Sequence, residues 1–275
     1  MNATVKTALI TGCSTGIGAE LAKQLLAMNW QVIATARRPE TLRPLVDAGA
    51  QAIKLDVCDA EDIKSLSASL DSLDLLVNNA GFGGMGPLLD LSSEDYLQQM
   101  HTNVVAPLQL VQALAPQLRA SKGRIINISS IVGEVWTPFA GAYCSSKAAF
   151  NAQSDILAME LAPFDITIIT VRPGAVQSSF GQNASAHAEA TVSDASWYQP
   201  WRKAILERAG LSQQGATPTG DFVVDVLKQA LQERPPAVIY AGANSKKLPA
   251  LRKLLGHRGW HSMMLKRFGL NRKAD

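Results

Sequence analysis

Cysteine is scarce in this 275-residue chain: Cys13, Cys58 and Cys144 make an odd number with no C-x-x-C or zinc-like spacing. Neither a disulfide framework nor a thiolate metal site organises such a sequence, and a reduced, cytoplasmic setting is the plain inference. Histidine is equally sparse. His257 and His261 are four apart but have no acidic residue near them, so no metal site is expected. No apolar run approaches the roughly 18 residues of a membrane span. The first strand-like segment begins at Val5, which leaves no room for a secretory leader. Repeats and low-complexity linkers are missing too. With 47% hydrophobic and 18% charged residues, 1–275 reads as one globular domain with a substantial core.

Strand-like runs cover Val5 to Thr11, Gln31 to Ala36, Ala52 to Leu55, Leu73 to Asn78, Gly123 to Ser129, Asp165 to Val171 and Ala237 to Ala241. Helical patterns lie between them, and this alternation predicts an α/β fold, a parallel sheet wrapped by helices. Ser92 with Asp95 resembles a capping box, and Thr217-Pro218 puts a capping hydroxyl before a first-turn proline. In a doubly wound sheet the ligand lies beyond the carboxyl ends of the strands, so the residues that follow each strand matter most.

After the first strand comes Thr11-Gly12-Cys13-Ser14-Thr15-Gly16-Ile17-Gly18, followed by the helical spacing of Leu21, Ala22, Leu25 and Leu26. Gly12 suits a tight turn, Gly16 a close approach by a pyrophosphate, and Gly18 close helix packing, while the helix N-terminus offers free N–H groups. The spacing is G-x-x-x-G-x-G, and an ordinary tight turn is the alternative. After the second strand, Arg37-Arg38 stands where an acidic residue would bind the ribose diol of NAD. A guanidinium grips a 2′-phosphate in a two-pronged geometry, so NADP (NADPH) is the expected cofactor, a solvated loop being the bland alternative. Asp56-Val57 places a carboxylate where an adenine amino group could donate, and Asn78-Asn79-Ala80-Gly81 supplies small residues beside the ligand.

The chemistry follows the fifth strand. Ser129-Ser130 closes it, and Tyr143-Cys144-Ser145-Ser146-Lys147 begins a helix running to Leu161. Residues four apart share a helical face, so the Lys147 ammonium can sit beneath the Tyr143 ring and favour the phenolate. A tyrosine tuned in this way exchanges a proton with a carbonyl or hydroxyl oxygen, and Ser130 supplies a second hydrogen bond.

These residues resemble the short-chain dehydrogenase/reductase family over nearly the whole chain: the glycine loop, Asp56, Asn78 to Gly81, Asn103, Ser130, Tyr143-x-x-x-Lys147 and Pro173-Gly174, in order. The resemblance implies a Rossmann-type, seven-stranded, doubly wound sheet and reversible ketone/alcohol redox. It implies a relay of Asn103, Ser130, Tyr143 and Lys147. Tyr143 would be the acid/base; Lys147 would lower its pKa and hold the ribose; Asn103 would help to hold a water linking Lys147 to solvent. Cofactor contacts would come from Gly12, Ser14, Thr15, Gly16, Ile17, Gly18, Arg37, Arg38, Asp56, Val57, Asn79, Ala80, Gly81, Tyr143, Lys147, Pro173, Gly174, Val176 and Ser178. Ser178 departs from the family's usual threonine but keeps the hydroxyl.

Within the family, Ala34 to Arg38, Pro138 to Cys144 and Arg267-Phe268-Gly269-Leu270 look like the 17β-hydroxysteroid dehydrogenase-like branch and, within it, the 1-acyldihydroxyacetone-phosphate reductases. This implies reduction of a hydrophobic, lipid-like ketone. A steroid or retinoid dehydrogenase and a non-catalytic NADP-binding redox sensor are the rival readings.

An insertion over about 176–216 carries Phe180, Trp197, Tyr198 and Trp201, as pocket lining or as the core of a lid. From Ser245 onward nine basic residues face one acidic residue, a charge of +8, against −5 for the remainder. Leucines and aromatics interleave the bases. The segment reads as a helix packed near the pocket with a solvated basic face, or as a peripheral contact with an anionic membrane. No nucleic-acid module accompanies the charge, and a homo-oligomer is expected from the resemblance.

Overall fold

The computed structural model describes residues 5–178 and 180–272, the side chains of Gln182 and Asn183 excepted. Strands β1 (Thr7–Ile10), β2 (Gln31–Ala36), β3 (Gln51–Lys54), β4 (Leu75–Asn78), β5 (Arg124–Ile128), β6 (Thr167–Pro173) and β7 (Val238–Ala241) form one sheet. Its order is β3-β2-β1-β4-β5-β6-β7, and every pairing is parallel. All seven strand expectations are met, with boundaries moved by a few residues at most.

The chain steps outward from β1 to β3 and then returns to lay β4 on the other side of β1. The connections after β1 and β4 therefore diverge and leave the crevice in which doubly wound sheets bind ligands. Side-chain alternation fills both faces. Ala8 and Ile10 enter one buried cluster with Val32, Ala34 and Val77, whereas Leu9, Ile33 and Leu76 enter the opposite one.

Helices α1 (Gly16–Ala27) and α2 (Arg43–Asp47) cover the first face, joined there by α9 (Thr219–Ala230) through Phe222 and Val226. The second face receives α3 (Ala60–Ala68), α5 (Ala106–Ser121) and the C-terminal end of α6 (Gly141–Leu161), with α4 (Ser93–Met100) leading into α5. Ser92 caps α4 as expected: its Oγ accepts from the Asp95 N–H at 3.0 Å and donates to the Asp95 carboxylate at 2.8 Å. Thr217 does not cap α9. Pro218 is the N-cap, and Thr217 is spent on a parallel bridge to Val176, because its backbone anchors the end of the insertion to the residues after β6.

The insertion folds into α7 (Phe180–Thr191) and α8 (Arg202–Gly210) above the crevice. Its aromatics divide. Phe180 lies against Tyr143, ring centroids 5.2 Å apart. Tyr198 and Phe268 pack edge-on against Phe139, each at 6.0 Å, and Trp201 donates to the Gly269 carbonyl. Trp197 is solvent-exposed.

Helix α10 (Lys247–Arg267) is kinked at Gly256, whose φ of 61° and ψ of −174° are outside helical space. Trp260 and Phe268 are buried, while Leu254 projects into solvent at 82% exposure. The amphipathic segment is thus anchored at its C-terminal half. No described helix is long and apolar enough to cross a membrane.

Candidate active site

The glycine loop is held by the loop that follows β4. The Thr11 hydroxyl accepts from the N–H groups of Asn79 at 3.0 Å and Ala80 at 2.9 Å. In return the Asn79 amide donates to the Thr11 and Gly12 carbonyls at 2.8 and 3.1 Å. Thr11 appears in the motif only as the loop's first residue, and its clamping role is visible only once β1 and β4 are neighbours.

Gly12 and Gly16 have φ of 71° and 61°, the left-handed region that favours glycine. A Cβ on Gly18 would come within 2.4 Å of the Gly12 carbonyl oxygen and 2.5 Å of the Asn79 amide nitrogen. The backbone is therefore drawn tight at the start of α1, where unpaired N–H groups and the helix dipole favour an anion. A cleft of about 370 Å³ opens beside this loop, lined by Cys13 to Gly16, Thr41 and Thr219 among others. Ser178 reaches the loop from the far side, its Cβ 3.4 Å from where a Cβ on Gly16 would stand.

Arg37 and Arg38 leave the end of β2 exposed, and neither pairs with a carboxylate among the described residues. Asp56 stands at the end of β3, where one carboxylate oxygen accepts from the Cys58 N–H at 3.0 Å. Val57 and Ile17 are packing residues, directed into opposite clusters. Gly174 cannot carry a side chain, since a Cβ would lie 2.0 Å from the Ala243 carbonyl oxygen. Val176 is buried beside it.

Asn103 lies in a π-turn over His101–Val105 between α4 and α5, an irregularity that marks functional positions in many helices. Its amide accepts from the Phe82 N–H at 3.2 Å and donates to the Phe82 carbonyl at 2.9 Å and the Ser146 hydroxyl at 3.0 Å. A Cβ on Gly81 would lie 2.9 Å from the Asn103 Oδ1 and 3.9 Å from the Lys147 ammonium, so the two flank that glycine.

Ser130 follows β5, and Tyr143 and Lys147 share the first turns of α6; all three are buried. The Ser130 hydroxyl is within hydrogen-bonding reach of the Tyr143 phenol. Ser129, its neighbour, has a buried hydroxyl with no partner among the described residues. Burial pushes the Tyr143 phenol up to about 12, against the opposing pull of Ser130 and, more weakly, of the Arg208 guanidinium. The phenol is therefore neutral near pH 7 and holds a proton to give.

Lys147 differs from the sequence expectation. Its ammonium does not lie beneath the Tyr143 ring. It donates to the Ile128 carbonyl at 3.0 Å, with the Phe150 ring centroid 5.2 Å away. An isolated ammonium in this setting takes the nearest carbonyl, because an unpaired buried charge costs several kcal/mol.

Burial lowers that ammonium from 10.5 to about 8. Above pH 10.5 the lysine is neutral whether the chain is folded or not. As pH falls from 10.5 to 8 the unfolded chain takes up the proton first, so stability is lost across this window, in full about 3 kcal/mol. In Lys147→Met that titration disappears. Urea unfolding should show the variant's stability relative to wild type improving by up to about 3 kcal/mol between pH 10.5 and pH 7. A difference that does not change with pH would contradict this placement.

Residues 6–189 match the short chain dehydrogenase family. A short-chain dehydrogenase/reductase of Pestalotiopsis microspora is 36% identical over 88% of this chain and 86% of its own length. The NADPH-dependent 1-acyldihydroxyacetone phosphate reductase of Schizosaccharomyces pombe is 38% identical over 74% of this chain and 71% of its own. A short-chain dehydrogenase from Streptomyces avermitilis superposes with a TM-score of 0.79 at 29% identity, covering 96% of this chain and 98% of that one. The parallel sheet, the glycine loop clamped across its crevice and these likenesses together make the chain a member of the short-chain dehydrogenase/reductase family, oxidoreductases that use a nicotinamide cofactor.

Proposed function

We propose that this protein is an NADPH-dependent reductase of a hydrophobic, lipid-like ketone, of the acyldihydroxyacetone-phosphate type. The observation that carries the reaction class is the buried pair of Ser130 and a protonated Tyr143 at the mouth of the cofactor crevice. When bound, the dinucleotide supplies the hydride. Tyr143 gives its proton to the carbonyl oxygen, and Ser130 donates a hydrogen bond to that same atom. Lys147 would hold the ribose, and Asn103, beside it across Gly81, would hold a water that returns the proton to Tyr143.

The glycine loop suits the pyrophosphate because two of its glycines occupy left-handed backbone and a cleft opens beside it at the start of α1. Asp56 and Val57 would border the adenine, Ala80 and Gly81 the ribose, and Pro173, Gly174, Val176 and Ser178 the nicotinamide. Arg37 and Arg38, exposed and paired with no carboxylate among the described residues, favour a 2′-phosphate.

Lipid-like substrates are favoured by the apolar lid, with Phe180 on Tyr143, and by α10. There Leu251, Leu254 and Leu255 are exposed among Lys247, Arg252 and Lys253, the composition of a peripheral contact with anionic lipid. Exposed Leu97, Val105, Ile156 and Met159 on and between α4, α5 and α6 favour a homo-oligomer that covers them.

Turnover of NADPH with acyldihydroxyacetone phosphate, a 17-ketosteroid, retinal and a short aliphatic ketone tests the substrate class. The phospholipid precursor is expected to give the highest kcat/KM. Turnover of the steroid or retinal alone would transfer the protein to the steroid/retinoid reading.

A further inference from the structure

Arg208, in the last turn of α8, is the one arginine among the described residues that is buried, at 5% exposure. It enters an apolar neighbourhood. Ile205 and Ala209 of the same helix pack in a cluster with Phe139, Tyr143, Cys144 and Phe268. No described carboxylate lies within ion-pairing distance of it. Its partners are neutral: Nε donates to the Thr137 hydroxyl at 2.5 Å, and the guanidinium is within hydrogen-bonding reach of the Cys144 thiol.

A guanidinium removed from water without an anion costs several kcal/mol, and packing alone is served as well by methionine. The location is also specific. Arg208 is contributed by the lid, Thr137 by the segment between Ser130 and Tyr143, and the charge is close enough to favour the Tyr143 phenolate. The turn of α8 that carries Arg208 therefore packs in the same cluster as Tyr143, the residue that would meet the substrate carbonyl.

We infer that Arg208, oriented by Thr137, is a substrate-anion subsite that binds an oxyanion, phosphate monoester or carboxylate, carried next to the reacting ketone. The inference rests on the ketone-reductase reading of Tyr143. It explains why a positive charge is kept inside an apolar lid: in a dihydroxyacetone phosphate ester only one methylene and the ester oxygen separate the carbonyl from the phosphate. The planar fork matches such an oxyanion with two parallel donors, which lysine cannot reproduce.

Calorimetric binding to NADP⁺-saturated protein tests the subsite without turnover. Two matched pairs serve as ligands: acyldihydroxyacetone phosphate against acyldihydroxyacetone, and a medium-chain keto acid against its methyl ester. Wild type is expected to prefer the anionic member of at least one pair by about 10- to 100-fold, the scale of a charge-assisted bidentate contact. The pair that shows it identifies phosphate or carboxylate. That preference should collapse to about twofold or less in Arg208→Met and survive in part in Arg208→Lys.

Equal affinity of wild type for both members of both pairs would overturn the subsite, as would a preference undiminished in either variant. A preference lost in Arg208→Met, in a protein that reduces none of these ketones, would uphold the subsite and defeat the reductase reading instead. Thermal unfolding separates a structural clamp: Arg208→Met should unfold no earlier than wild type, because it removes an uncompensated buried charge.

Discussion

Tyr143→Phe is expected to lower kcat by about 10²- to 10⁴-fold, the usual worth of a positioned general acid, while tight binding of NADPH is retained. The expectation follows from how little else at the site can act. Ser130 offers only an aliphatic hydroxyl beside the phenol, and the Lys147 ammonium is turned to the Ile128 carbonyl. Phenylalanine keeps the ring packed against Phe180 and removes only the proton that the carbonyl oxygen must receive. Fluorescence titration with NADPH alongside initial rates separates the two effects. Ordinary turnover by the variant would contradict the assignment.

The second large effect concerns cofactor choice. Replacing Arg37 and Arg38 together with alanine should weaken NADPH binding by about 10²- to 10³-fold, since a hydrogen bond to a charged group contributes about 1.5 to 3 kcal/mol. NADH, which has no 2′-phosphate, should lose far less. Both arginines are exposed at the end of β2 and neither is held by a carboxylate among the described residues, so their removal leaves the core untouched. Equal losses for the two dinucleotides, measured by equilibrium titration, would mean that these residues do not read the 2′-phosphate.

Strands β1, β2, β4, β5 and β6 were legible because each is a short, largely buried apolar run, a pattern that survives without knowing its neighbours; β3 at the sheet edge has no buried residue and was placed by the alternation with helices. The glycine loop and the Tyr143/Lys147 spacing were legible for the same reason: their meaning is local. What the sequence concealed depends on contacts between distant segments. Thr11 reads as an ordinary polar residue until β4 lies beside β1 and its hydroxyl receives two N–H groups. Thr217 precedes a proline as a cap would, yet its backbone is claimed by Val176.

Lys147 has the right spacing from Tyr143, but spacing does not say which carbonyl a buried ammonium will choose. Arg208 did leave a signal. With Trp201, Ala204 and Ile205 it falls on the apolar side of a helical stripe, where a basic residue is out of place. That the stripe faces Tyr143 emerges only when α8 is folded over the crevice.

The most direct test of the central claim is a balance of reactants in wild type and Tyr143→Phe. NADPH oxidation is followed by absorbance and the product alcohol by mass spectrometry, with acyldihydroxyacetone phosphate as the ketone. Wild type is expected to form one alcohol for each NADPH consumed, and the variant to show neither change above background. NADPH bound tightly by wild type yet never oxidised, with this ketone or the rest of the panel, would contradict that claim.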